Sequence, residues 1–147
     1  MIDDIYNDRI LEFAGNIDHV GRLAAPDASA KAHSRLCGST ITVDIRLKDG
    51  RIADFGQEIK ACALGQASAS IVARAVVGAS ADEVRQARAV MFAMLKENGP
   101  PPTGRFGDLK YLEPVRAFKA RHTSTMLVLD ALVDCLDQLD GKAGASV

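Results

Sequence analysis

The sequence predicts an α+β domain, a small antiparallel three-stranded sheet packed by helices. Three observations carry that prediction. From Thr40 to Lys48, Ile41, Val43, Ile45 and Leu47 alternate with Thr42, Asp44, Arg46 and Lys48, the period of two of a strand with one apolar face and one wet face. Asp49-Gly50 follows at once, the dipeptide preferred in a type I′ hairpin because both central residues need positive φ. The flanking segments repeat their apolar residues at intervals of three and four, as helices do.

In chain order, Asp3 to Phe13 reads as an amphipathic helix with Ile5, Ile10 and Phe13 inward. A polar connection, Gly15 to Ser29, leads to a short strand around Ala30 to Ser34, and then to the strand over Thr40 to Lys48. The chain returns over Arg51 to about Ala61. Ile52 and Phe55 have opposite parity there, which places a bulge near Asp54. Cys62 to Val77, rich in Ala and Ser and free of Pro, reads as a helix stopped by Gly78. Ser80-Ala81-Asp82-Glu83 is a capping box opening a helix with Val84, Ala87, Met91, Met94 and Leu95 on one face, which ends at Asn98-Gly99. Three prolines, 100–102, make a loop, and Leu109, Leu112 and Val115 mark a short helical stretch interrupted by Pro114. The last helix runs from about Ser124 to Leu139 and buries Val128, Leu132, Cys135 and Leu139. Residues 1–140 are expected to form one domain and 141–147 a flexible tail.

Composition narrows the function. With 147 residues the chain has the length of one domain, and 48% hydrophobic against 25% charged residues is a folded balance. Eighteen Lys+Arg against nineteen Asp+Glu, dispersed along the chain, lack the concentrated positive charge of a nucleic-acid binder. No apolar run is long enough to span a membrane, and Met1 to Tyr6 lacks the basic and apolar regions of a signal peptide. Three cysteines do not make a disulfide framework. The expectation is a cytoplasmic protein with reduced thiols, no nucleic-acid partner and no membrane partner.

Each thiol then needs its own reading. Cys37 precedes Gly38 at a strand entrance, where a tight turn exposes sulfur; a half-buried small hydrophobe is the plainer alternative. Cys62 stands at a strand-to-helix junction among Ala61, Ala63 and Gly65, where the helix N-terminus favours a thiolate. Cys135 falls on the apolar stripe of the last helix and reads as core. His19 and His33 lie in connecting segments and read as solvated, while His122 stands just before the final helix. No hydrolase triad spacing and no phosphate-binding glycine loop are present.

These residues also carry a family resemblance. Leu36-Cys37-Gly38-Ser39, Lys48 to Asp54, and Ala61-Cys62-Ala63-Leu64-Gly65-Gln66-Ala67-Ser68-Ala69-Ser70 resemble the NifU/IscU/SufU iron–sulfur cluster assembly scaffolds. Val20-Gly21-Arg22-Leu23 looks like a degenerate form of that family's Asn-Pro-Arg-Asn-Val-Gly segment. Gly107 through Arg121 looks like the insertion of the SufU branch. The similarity spans roughly residues 5 to 139.

The resemblance implies the IscU/NifU N-terminal fold and a scaffold, not a conventional enzyme. In such a protein three cysteines and an aspartate hold iron or an iron–sulfur cluster, or zinc in the SufU branch. Carried over by position, the first two cysteines are Cys37 and Cys62. The aspartate position holds Ser39, the third cysteine position Ser124, and the neighbouring His or Lys position Thr123, one residue after His122. The implied cluster-binding residues are Cys37, Cys62 and Ser124, and the implied metal ligands are Cys37, Cys62, His122 and Ser39. Sulfur would come from a cysteine desulfurase, and clusters would pass to iron–sulfur acceptor proteins. Two protomers could share a cluster through four thiolates, which makes a homodimer one expected form. A zinc-dependent sulfur acceptor and a metal-free adaptor that keeps only the partner-binding surface are the alternatives. A disulfide between Cys37 and Cys62 is disfavoured in a reduced cytosol.

Overall fold

Eight residues from Asp8 to Gly15 form α1, with Ile10 and Phe13 turned into the core. The computed structural model describes residues 8–34 and 38–145. Of the first expected helix, positions 3–7, including Ile5, lie outside the described residues, as does Cys37. After α1 come β1 (Ala28–His33), β2 (Thr40–Lys48) and β3 (Arg51–Lys60), which form one antiparallel sheet in the order β1-β2-β3. The expected fold class is therefore the observed one.

The β2–β3 hairpin turns at Asp49 (φ 55°) and Gly50 (φ 77°), the pair of positive angles that a type I′ turn requires. Arg46 pairs with Asp54 but Leu47 pairs with Ile52, so Ala53 is the extra residue of a bulge beside Asp54. That one-residue insertion turns both Ile52 and Phe55 inward in spite of their opposite parity.

The helices are α2 (Ala63–Val76), α3 (Ala81–Lys96) and α4 (His122–Ala145). Gly78 leaves α2 at φ 94°, and its N–H donates to Ile52 O at 2.7 Å while Ile52 N–H donates to Ala79 O at 2.9 Å. The end of α2 is thereby stitched to the start of β3. The capping box of α3 is complete: Glu83 N–H donates to Ser80 Oγ and Ser80 N–H to Glu83 Oε1, both at 3.1 Å. Between α3 and α4, residues Gly104–Ala117 wind as 3-10 helix with a kink at Phe106. Three residues per turn stack positions i and i+3, so Phe106, Leu109, Leu112 and Val115 form one buried stripe.

The last helix begins two residues before its expected start and continues past Leu139 and Gly141 to Ala145. Running along β1 and β2 and between α2 and α3, α4 is the central beam of the core. Cys135 is fully buried on it, its thiol 3.6 Å from Val43 O.

One strand position departs from the expected alternation. Asp44, assigned to the wet face of β2, is buried. The segment after α1 covers it: Gly21 N–H donates to Gln57 O at 2.7 Å and Gln57 N–H to His19 O at 3.0 Å, along the outer edge of β3. From that edge the chain crosses Gly56, where a Cβ would lie 2.6 Å from Gly21 O, so only glycine allows the passage. It then reaches Asp44, which accepts from Arg22 Nε (2.7 Å), Arg22 Nη2 (3.0 Å), Leu23 N–H (3.0 Å) and Ser29 Oγ (2.5 Å). Burial raises the Asp44 pKa, but the hydrogen bonds from Arg22, Ser29 and Leu23, with the Arg22 charge, outweigh it and hold the carboxyl below its ordinary value.

Candidate functional site

Cys62 is the N-cap of α2, in extended conformation (φ −65°, ψ 170°), with no side-chain cap bond of its own. Its carbonyl accepts from Gln66 N–H at 2.9 Å, which starts the helix and leaves the thiol on the outside of the first turn. The thiol is half-buried in an open concavity lined by Gly38, Ser39, Ile59, Lys60, Ala61 and Gln66. The first turn of α2 holds no acidic side chain, so its exposed N–H groups keep their positive potential beside the sulfur.

Two hydroxyls stand behind the thiol. Ser124 Oγ is 3.2 Å from Cys62 Sγ and 3.3 Å from Ser39 Oγ, and both serines are buried, at 1% and 2% exposure. Ser39 is held by the loop between β1 and β2, where Gly38 adopts φ 66° and Ser34 N–H donates to Ser39 O at 2.8 Å. Ser124 comes from the first turn of α4. It can approach because residue 65 is glycine: a Cβ there would meet Ala61 Cβ at 2.7 Å, Ser124 Oγ at 3.2 Å and Ser124 O at 3.3 Å. Cys62, Ser39 and Ser124, far apart in sequence, thus meet at one point.

His122 is not brought into this group. Residues two apart on a helix do not share a face, so His122 and Ser124 look in different directions. The imidazole is buried, with Nε2 donating toward Val115 O (3.0 Å) and Arg116 O (3.1 Å), and Nδ1 facing Lys96 Nζ at 3.3 Å. Burial and the Lys96 charge lower its pKa, which favours the neutral ring that these partners require. Thr123 is exposed. His19 and His33 are exposed as expected. Burial, then the nearby carboxylates of Asp134 and Asp44, push the Cys135 thiol up to about 12, which makes it core and not ligand.

The donor set decides what the site can hold. Among the described residues no group of three or more His, Cys, Asp or Glu converges. Adding Cys37 by sequence gives two thiols and two alcohols. A closed zinc site takes four thiolate, imidazole or carboxylate donors, and a neutral alcohol is a poor partner for a soft metal. One chain's residues therefore do not fit a resident zinc ion. The sequence reading did not single out Lys60, which adds a positive charge to the concavity, and it took Gly65 only as a small neighbour of Cys62, whereas Gly65 also admits α4. A glycine in the first turn of an otherwise Ala/Ser helix was the available signal for Gly65.

Fold and site together define a small α+β domain that presents a thiol at a helix N-terminus, backed by buried hydroxyls. Compared with known proteins, residues 5–109 match the family described as the NifU-like N terminal domain, and the chain belongs to that family. A solved structure described as a nitrogen-fixing NifU-like protein (N-terminal) from Brucella abortus is 62% identical, with a TM-score of 0.94 over 96% of this chain and 98% of that one. An iron–sulfur cluster assembly scaffold protein IscU from Streptococcus pyogenes is 22% identical over 135 residues, 92% of this chain and 84% of that protein. Its namesake from Thermotoga maritima is 28% identical over 80 residues, so the match spans 54% of this chain and only 56% of that relative. A structure described as a SufU scaffold from Fervidobacterium islandicum shares the fold, with a TM-score of 0.83 at 18% identity.

Proposed function

We propose that this chain is an iron–sulfur cluster assembly scaffold. Iron or a nascent cluster is its cargo, held by the thiolates of Cys62 and Cys37, and Ser124 and Ser39 stand behind Cys62. The observation that carries the reading is the placement of Cys62: a thiol in an open concavity, at an uncompensated helix N-terminus, 3.2 Å from a buried hydroxyl. Thiolates are the donors iron–sulfur clusters use, and the positive helix end favours an anionic metal–thiolate group.

In this reading the chain carries cargo without turning over a substrate. Sulfur arrives from a cysteine desulfurase, and the finished cluster leaves for acceptor proteins, in the cytoplasm where thiols stay reduced. No described helix is long and apolar enough to cross a membrane. The test is anaerobic reconstitution with ferrous iron and sulfide, followed by iron and acid-labile sulfide analysis. Cys62→Ala and Cys37→Ala should each lose the bound iron and sulfide. Unchanged content in Cys62→Ala would overturn the assignment.

A further inference from the structure

We infer that the outer edge of β1 is a docking site for an extended acidic segment of a partner protein, which joins the sheet as a further strand. The inference stands on the sheet alone and does not depend on what Cys62 carries.

The two edges of the sheet differ. At the β3 edge, the N–H and C=O of Gln57 are taken by His19 and Gly21. β1 forms the other edge. Ser34 N–H donates to Ser39 O, continuing the register in which His33 faces Thr40, so the bonded pairs recur at Ala32 and Ala30. The N–H and C=O groups of Ser29, Lys31 and His33 therefore point away from β2. Ser29 O accepts from Gln138 Nε2 at 2.9 Å. Among the described residues no hydrogen bond reaches the N–H or C=O of Lys31 or His33. Two donors and two acceptors thus stand in line on an edge strand, and these are the groups an added strand uses.

Charge says what that strand must carry. On the outer face of the sheet two rows run across the strands, Lys31–Thr42–Glu58 and His33–Thr40–Lys60. Lys31, His33 and Lys60 are exposed, and none pairs with a carboxylate among the described residues. Glu58, the acid of the first row, faces Arg22 Nη1 at 3.9 Å. In a strand paired with β1, the residues opposite Lys31 and His33 lie on this same face, and the residue opposite Ala32 lies on the other. Carboxylates at the first two positions meet Lys31 and the positive rows beside it. An apolar residue at the third packs beside half-buried Ala32. A second copy of β1 does not supply that pattern. Setting Ser29, Lys31 and His33 of two copies antiparallel places each Lys31 opposite its counterpart, and like charges directly opposite destabilise a pair. Ser34, next after His33, is bonded to Ser39, which lines the Cys62 concavity together with Lys60. A partner held on β1 is thereby held beside that concavity.

The test uses the full chain, isotope-labelled, and a short synthetic peptide of alternating glutamate and valine. NMR reads backbone amide exchange with and without the peptide. In the free protein the amides of Ala30 and Ala32 should be protected, while those of Lys31 and His33 exchange fast. At saturating peptide the amides of Lys31 and His33 should lose that fast exchange, with Ala30 and Ala32 unchanged. Lys31→Glu should weaken peptide binding by about tenfold, and a peptide of alternating lysine and valine should leave the edge unprotected. His33→Pro removes one outward N–H without touching the β1–β2 ladder, and it should also weaken binding; circular dichroism checks that each variant is folded. Lys31 and His33 amides that stay in fast exchange at the highest peptide concentration overturn the inference. So does equal protection by the lysine–valine peptide. Protection of both amides in the free chain, where light scattering reads a dimer, gives the edge to a second copy and overturns it as well.

Discussion

At the scale of single residues, the two described cysteines have opposite environments, and their chemistry should separate cleanly. Cys62 faces an open concavity at a helix start, whereas Cys135 lies in the core with its thiol pushed up to about 12. At pH 8 the Cys135 thiolate is a fraction on the order of 10⁻⁴, and only the thiolate reacts with alkylating agents. Iodoacetamide treatment of the folded protein at that pH should label Cys62 and leave Cys135 untouched until denaturant is added. Peptide mass spectrometry reads the result, and native labelling of Cys135 would contradict the packing of α4. The different fates of these two thiols were legible in the sequence, since one sits on an apolar stripe and the other at a strand-to-helix junction. The orientation of His122 was not. It depends on where the first turn of α4 begins, and a shift of one residue rotates a side chain by about 100°.

At the scale of elements, the site depends on how closely α4 approaches α2, and Gly65 controls that distance. Replacing Gly by Ala in an exposed helix stabilises it by about 1 kcal/mol. At position 65 the added Cβ would meet Ala61 Cβ at 2.7 Å and Ser124 O at 3.3 Å, contacts that no side-chain rotation relieves. Overpacking of this kind costs about 1–3 kcal/mol. Gly65→Ala should therefore lower the urea midpoint and displace Ser124 from Cys62, and an unchanged or raised midpoint would contradict the geometry. The elements themselves were largely readable in advance. Alternation located β2, Asp49-Gly50 located the hairpin, parity located the bulge, and Ser80 with Glu83 located the start of α3. The spacing of Leu109, Leu112 and Val115 suited a three-residue turn as well as an α-helix, and Pro114, which cannot donate to a backbone bond, accompanies the tighter winding. The convergence of Ser39, Cys62 and Ser124 had no local signal. Ser39 and Ser124 are 85 positions apart, and only the packing of α4 onto α2 and the β1–β2 loop brings them together.

At the scale of the whole molecule, the chain after α1 is fastened across the sheet by Asp44, and this fastening responds to pH. Asp44 titrates below an unfolded carboxylate, so its contribution to stability is fully present above about pH 4 and is lost as the pH falls through its lower folded value. Asp44→Asn removes the charge and sets an amide group against Arg22. The variant should lose about 1–3 kcal/mol at pH 7, with the wild-type and variant stabilities converging in strong acid. Urea unfolding at pH 7 and at pH 3 measures both. A constant gap between the two proteins across that range would remove Asp44 from this role. Strand periodicity assigned Asp44 to solvent because the segment that covers it belongs to no regular element, and a pattern confined to one strand cannot report what crosses above it.

The same fastening has a consequence for self-association. β3 lies at one edge of the sheet, and its backbone groups at Gln57 are occupied by His19 and Gly21 of the fastened segment. A strand edge with free N–H and C=O groups is a template for another chain. While Arg22 and Leu23 hold Asp44, that template stays covered by the protein's own backbone. Once the carboxylate is protonated, its bonds to Arg22 and Leu23 weaken, and the backbone bonds of Gln57 to His19 and Gly21 are what still hold the segment over the strand edge. A single carboxylate in the middle of β2 thus helps the protein's own backbone to keep the β3 edge covered at neutral pH.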